Sequence, residues 1–141
     1  MTTTLTRAVL RKTIILKATK PEVWAFLTEP ERLAQWFHAP KSPLRAGEAL
    51  ALYGADSGDR LIWGEVRAAR PHDYLEYTFT VGMMPDAVSL VKWTLEEVDG
   101  GTQLSLVHEN LPQGSEGFEL TRNLDKGWDG HFAQLRDAVH G

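Results

Sequence analysis

The pattern that most constrains the fold is an alternation of apolar and polar side chains in successive short runs between residues 47 and 109. Such period-two alternation is typical of strands that bury one face. Turn sequences separate the runs, and DGG at positions 99–101 is a strong hairpin signal. The pattern predicts five consecutive strands in an antiparallel meander with one apolar, aromatic face. The inward positions of the three clearest runs are Leu75, Tyr77, Phe79, Val91, Trp93, Leu95, Leu104, Leu106 and His108.

Two similar tetrapeptides precede this region, TKPE at positions 19–22 and TEPE at positions 28–31. A Thr followed three residues later by Glu is a helix capping box, and Pro is tolerated in the first helical turn. We therefore expect Thr19 and Thr28 to cap two short, consecutive helices. A run of aliphatic and β-branched residues from Val9 to Leu16 predicts a further strand before them.

The last segment of the chain has the spacing of an amphipathic helix. Its apolar residues recur every three or four positions, so they form one stripe on a helix of about six turns that can cover the apolar face of the sheet. Gly127 and Gly130 interrupt it, which indicates either close backbone packing or space left open there. Gly114 and Gly117 are expected in a loop before the helix. The stripe consists of Leu120, Leu124, Trp128, Phe132, Leu135 and Val139.

Composition narrows the class of protein. A chain of 141 residues with 43% hydrophobic residues predicts a single domain over residues 1–141. It has no cysteine, which excludes disulfides and cysteine catalysis. No apolar run approaches the ~20 residues of a membrane span, and residues 1–10 lack a signal-peptide stretch, so we expect a cytoplasmic protein without membrane insertion. A net charge of −4 with scattered Lys and Arg predicts no nucleic-acid partner.

The sequence predicts neither a metal nor a cofactor. The five histidines, at positions 38, 72, 108, 131 and 140, include no pair with the three- or four-residue helical separation of a catalytic zinc site. The glycine-rich loops that bind phosphates or dinucleotides are also absent from the sequence.

Several short motifs along the chain carry a family resemblance. The motifs are ATKPEVW at 18–24, LTEPE at 27–31, Leu33, Trp36, GEV at 64–66, Pro71 before Leu75, Gly101-Thr102 before His108, and Gly127-Trp128. By these residues the chain resembles the START-like helix-grip superfamily, also called SRPBCC, and within it the branch of the C-terminal domain of the heat-shock-protein-ninety ATPase activator. The resemblance implies an α+β helix-grip fold, in which an antiparallel sheet of about six strands wraps around a long C-terminal helix and two short helices follow the first strand.

A cleft between the curved sheet and the helix is the expected functional site. The aromatic residues on the apolar face are either ordinary core or the wall of a cavity for an apolar ligand of drug size. Buried Tyr O–H and Trp N–H groups need partners, which a ligand could supply, and Trp36 is expected near the cleft mouth. His131 is expected on a half-exposed flank of the helix. The predicted ligand-binding residues are Trp36, Tyr77, Phe79, Trp93, His108, Trp128 and Phe132.

Three functions are compatible with the sequence, since the resembled superfamily includes carriers, polyketide cyclases, lyases and co-chaperones. The leading hypothesis is binding of an apolar or aromatic small molecule. The second is an enzyme in the same cavity, with His108 either as its general base or as a merely satisfied strand histidine. The third is a chaperone-interaction module with an exposed patch near Met83 and Met84, although these two are expected to fold over the sheet edge. The sequence does not decide whether two chains form a homodimer through a sheet edge.

Overall fold

The computed structural model describes residues 7–54 and 56–141. In these ranges the chain forms six strands and three helices, in the order that the sequence pattern predicts. The elements are β1 (Leu10–Leu16), α1 (Lys20–Thr28), α2 (Pro30–Leu33), β2 (Ala49–Tyr53), β3 (Arg60–Arg70), β4 (Tyr74–Val81), β5 (Ser89–Val98), β6 (Gly101–Glu109) and α3 (Gly114–His140).

The strands form an antiparallel sheet in the order β1-β6-β5-β4-β3-β2. From β2 to β6 each strand pairs with its successor, which confirms the meander. β1 adds to the free edge of β6, with Leu10 opposite His108 and Leu16 opposite Thr102. The tight turn between β5 and β6 brings Gly101 so close to β1 that a Cβ atom there would lie 2.2 Å from the Leu16 carbonyl oxygen.

Helix α3 covers the apolar face of this sheet and completes the α+β helix-grip fold. Trp128, Phe132 and Leu135 are buried on its inner side, as the apolar stripe predicts. Among the described helices, none is long and apolar enough to cross a membrane.

The long helix begins earlier than expected. It has 27 residues, so Gly114 and Gly117 lie in its first turn and the prediction of a loop there is wrong. Gly114 takes a positive φ of 87°. At Gly117 a Cβ atom would lie 2.4 Å from the Pro112 carbonyl oxygen, which shows that the preceding segment packs directly on the helix start.

One of the two predicted helix caps is confirmed. The Thr19 hydroxyl accepts from the Glu22 N–H at 3.3 Å and caps α1. The prediction for Thr28 is wrong, because α1 continues through Thr28 and its hydroxyl donates back to the Trp24 carbonyl oxygen at 2.9 Å. Helix α2 is a single turn with Glu29 at its N-cap position and Pro30 in its first turn.

Candidate functional site

A cavity of about 170 Å³ lies between α3 and the β3–β4 end of the sheet. Its walls come from four parts of the chain: α3, β3, β4 and the segment that follows α2. The lining residues are Phe37, His38, Leu61, Ile62, Phe79, Val81, Asn123, Leu124, Gly127, Trp128 and His131. Most are apolar or aromatic, which is typical of a site for an apolar ligand.

Gly127 leaves the space that makes this cavity. A Cβ atom built on Gly127 would meet nothing within 4 Å, although the residue faces the sheet from the middle of α3. A Cβ atom on Gly130 would also meet nothing within 4 Å, but Gly130 is exposed on the outer side of the helix. Of the two explanations that the sequence left open for Gly127, open space is therefore the correct one.

Stacked aromatic rings form one wall of the cavity. The Phe37 ring stacks against Trp128, with centroids 5.1 Å apart and planes at 27°. Phe79 also adjoins Trp128, at a centroid distance of 6.2 Å with planes at 44°. Offset contacts of this kind stabilise aromatic clusters beyond the area they bury, so the wall is held in place before any ligand arrives.

Five of the seven predicted site residues divide into two groups. Phe79 and Trp128 line the cavity. Trp36, Trp93 and Phe132 are instead buried in the core, where Trp36 contacts Trp93 edge-on and Trp93 stacks on Phe132.

Trp36 does not lie at the cleft mouth. It is 1% exposed, and its indole N–H donates to the Phe26 carbonyl oxygen at 2.8 Å. The residues after it, Phe37 and His38, line the cavity instead.

Tyr77 and Trp93 also need no ligand to complete their hydrogen bonds. The Trp93 indole N–H donates to the Tyr77 hydroxyl oxygen at 3.1 Å, within the core. Burial raises the pKa of Tyr77 far above its ordinary value, so the phenol stays neutral. This cross-strand pair joins β4 to β5 and contributes to the floor on which α3 packs.

His108 lies at the centre of a buried hydrogen-bond chain. The Trp128 indole N–H donates to His108 Nδ1 at 3.1 Å, and His108 Nε2 lies 2.7 Å from Ser89 Oγ. The Ser89 hydroxyl in turn donates to the Phe79 carbonyl oxygen at 2.9 Å. Because an indole N–H can only donate, Nδ1 is the acceptor and Nε2 carries the ring proton, which it donates to Ser89.

This arrangement leaves His108 without a free lone pair. Burial lowers its pKa to about 3, so the ring is neutral near pH 7. The one lone pair of a neutral imidazole already accepts from Trp128, and a general base needs that lone pair for the proton it removes. The geometry therefore favours the satisfied strand histidine over the general base.

Two other histidines line the cavity and were not predicted as site residues. His131 was expected on a half-exposed flank of α3 and is half-buried there, but it also lines the cavity and contacts the His38 ring edge to face, with centroids 5.4 Å apart. A signal was present, since His131 lies three and four positions after Trp128 and Gly127 and so shares their helix face.

The cavity is smaller than expected. Pockets for drug-sized ligands usually measure about 300–1,000 Å³, whereas this one measures about 170 Å³. The rest of the aromatic face is filled by the contacts of Trp36, Trp93 and Phe132. The site therefore has room for about one aromatic ring, because an apolar cavity of about 150 Å³ suffices for benzene.

A larger groove of about 680 Å³ lies at the surface around the β5–β6 turn. Its lining mixes cationic Lys17 and Lys20 with anionic Glu22, Glu97 and Asp99. Its charged groups are of both signs, two cationic against three anionic, and the groove lacks the aromatic wall of the smaller cavity. The smaller cavity is therefore the candidate site.

The loop that follows β4 differs from expectation in one of its two methionines. Met83 is 56% exposed and does not fold over the sheet edge, although the Asn123 side chain reaches its sulfur at 3.8 Å. Met84 is half-buried. An exposed Met offers an adaptable apolar contact.

Comparison with known proteins agrees with this architecture. Residues 17–140 match the family model described as Activator of Hsp90 ATPase homolog 1-like protein. No curated protein matches the sequence significantly.

Solved structures of similar fold cover nearly the whole chain. Protein MLL2253 from Mesorhizobium loti shares 20% identity at a TM-score of 0.81, over 94% of this chain and 97% of that one. DynU16, a protein in the dynemicin biosynthetic locus, shares 25% identity at a TM-score of 0.77, over 94% of this chain but only 47% of its own. The Aha1 dimer from Colwellia psychrerythraea shares 17% identity at a TM-score of 0.77, over 94% of this chain and 96% of that one.

Proposed function

The chain belongs to the family of Activator of Hsp90 ATPase homolog 1-like proteins, a branch of the START-like helix-grip superfamily, and we propose that it binds a small apolar or aromatic molecule between α3 and the sheet. The ligand is about the size of one aromatic ring. It lies against Phe79 and Trp128, with Phe37 closing one side.

The open space at Gly127 is the observation that carries this proposal. The cavity of about 170 Å³ beside the stacked rings is partly open to the surface, so a small ring can enter it from solvent and lie against an apolar wall. Most of its lining is apolar or aromatic, so water inside it has few hydrogen-bond partners. An apolar ring that enters the cavity is removed from water and gains contacts along the wall.

Ligand binding to the wild type and to a variant whose cavity is filled by a side chain tests the proposal. Thermal unfolding with and without millimolar toluene or indole should show a higher Tm with at least one of the two compounds. Gly127→Leu should abolish that increase, because the added side chain extends into the ligand space. Gly130→Leu is the matched control, since it adds the same side chain on the exposed side of the same helix. No increase in Tm with either compound, or an undiminished increase in Gly127→Leu, contradicts the proposal.

An enzyme of the polyketide-cyclase or lyase type in the same cavity finds less support. DynU16 belongs to a biosynthetic locus, but the best predicted base, His108, has its lone pair engaged by Trp128. We therefore rank binding above catalysis.

A protein-interaction surface is the second candidate function. The family description names an ATPase activator, and Met83 and Phe118 are 56% and 60% exposed. An Hsp90 ATPase assay tests this candidate, which predicts a faster rate of ATP hydrolysis with the wild type than with a Met83→Ser/Phe118→Ser variant.

The structure of an Aha1 dimer from a relative supports self-association as well, and analytical ultracentrifugation measures it directly. The cytoplasmic location and the lack of a nucleic-acid partner stay predictions.

A further inference from the structure

Two neutral imidazoles give the cavity a polar side. The rings of His38 and His131 are both half-buried and meet edge to face at 79°. The Phe37 ring contacts the His131 ring edge-on at a centroid distance of 4.8 Å. The histidines therefore adjoin the aromatic wall against which an apolar ring would lie.

The backbone fixes the tautomer of His131. Its Nδ1 lies 3.0 Å from the Trp36 carbonyl oxygen. A carbonyl oxygen can only accept, so Nδ1 carries the proton and donates it. In the neutral ring Nε2 then holds an available lone pair.

That lone pair is accessible. Within residues 7–54 and 56–141, every fully buried side-chain nitrogen or oxygen has a hydrogen-bond partner. His131 Nε2 has no protein partner among these residues, so it is not one of the fully buried atoms, and its residue lines the cavity.

The cavity offers no charge to a ligand. Its described lining contains no Asp, Glu, Lys or Arg. Burial lowers the pKa of His131, and burial together with repulsion from His131 lowers the pKa of His38, so both rings are neutral near pH 7. A carboxylate or an ammonium ion would lose its hydration there without compensation.

We propose that the site selects a one-ring apolar ligand with a hydroxyl group, of the phenol class, whose O–H donates to Nε2 of His131. The inference rests on the proposed function and narrows it. A cavity without an acceptor favours toluene over phenol, because the hydroxyl loses its bonds to water on entry. The acceptor His131 Nε2 restores a hydrogen bond to the hydroxyl, so phenol binds more tightly than toluene.

The affinities of phenol and toluene for the full chain, measured by isothermal titration calorimetry, test this inference. The two probes have nearly the same size, so their ratio reports the hydroxyl alone. We expect phenol to bind about tenfold more tightly than toluene, the ratio that one net hydrogen bond supplies.

The variant His131→Asn separates recognition from structure. An Asn amide can still donate to the Trp36 carbonyl oxygen but places no acceptor at the Nε2 position. We expect the phenol-to-toluene affinity ratio to fall about tenfold. His72→Asn, a change outside the cavity at a residue whose positive φ of 72° suits Asn, should keep the wild-type ratio.

Each outcome decides a different point. Toluene binding without a preference for phenol in the wild type overturns this inference and leaves the apolar site intact. A preference that survives His131→Asn overturns the assignment to His131. Binding of neither compound overturns the inference, and if indole also fails to raise the Tm, the proposed function is overturned as well. A shift of the His131 Nε2 resonance with phenol and not with toluene supports the inference independently of the variant.

Discussion

Trp128 on the long helix donates its indole N–H to Nδ1 of His108 on the last strand, at 3.1 Å. Both residues are buried, at 2% and 0% exposure. The contact does two things at once. It fixes the tautomer of His108, and it holds the Trp128 ring in the orientation that forms the wall of the cavity.

Removing the indole N–H should therefore destabilise the protein. In Trp128→Phe, His108 Nδ1 becomes a buried acceptor without a partner, which costs about 1–3 kcal/mol, and the smaller ring leaves a further gap. Urea unfolding measures the free energy of unfolding. Trp24→Phe is the matched control, because Trp24 is only partly buried and contacts His72 edge-on. Equal losses in the two variants would contradict a structural role for the Trp128 hydrogen bond.

The buried histidine also predicts a loss of stability in acid. The pKa of His108 is about 3 in the folded chain, below the ordinary value of 6.5. The unfolded chain therefore takes up this proton first as the pH falls, so the stabilisation is complete above pH 6.5 and is lost progressively toward pH 3. At pH 4.5 the loss from this group is about 2–3 kcal/mol.

The pH dependence of urea unfolding in His108→Gln checks this assignment. His38 and His131 have lowered pKa values too and contribute with the same sign, so only the difference between wild type and variant reports His108. The variant should lose about 2–3 kcal/mol less than the wild type between pH 7 and 4.5. An identical pH dependence, or an NMR titration of His108 near pH 6.5, would contradict its neutrality.

Replacing either helical glycine with Ala should stabilise the protein. Both Gly127 and Gly130 lie inside α3, and a Cβ atom at either meets nothing within 4 Å. Gly in a helix interior costs roughly 1 kcal/mol relative to Ala, so Gly127→Ala and Gly130→Ala should each raise the free energy of unfolding by up to about that amount. Destabilisation by Gly127→Ala alone would mean that the space beside it is already filled.

Most of the fold could be predicted because its signals are local. The alternation of Leu75, Tyr77 and Phe79 and the stripe from Leu120 to Val139 each bury the face that their period indicates. Local signals did not predict the exact boundary between two consecutive helices. The sequence TEPE is compatible with a cap at the start of α2 or with the last turn of α1. The hydrogen bond from Thr28 to the Trp24 carbonyl oxygen shows that Thr28 belongs to α1.

The candidate site was harder to predict because it depends on the shape of the sheet. The alternation placed Phe79 and Trp93 on one face, and only the structure shows that Phe79 borders a gap while Trp93 is sealed by Phe132. His131 shares a helix face with Gly127, a relation that the sequence contains. Its neighbour His38 arrives from another part of the chain, and no periodicity links the two.

The placement of β1 at the edge beside β6 has a consequence for biosynthesis. Leu16 pairs with Thr102, a residue made 86 positions later. At ordinary translation rates of about 5–20 residues per second, that interval lasts roughly 4–17 s. β1 is therefore synthesised long before β6, the strand with which it pairs. The apolar side chains of Leu10, Ile14 and Leu16 cannot reach their native partners until β6 has been made.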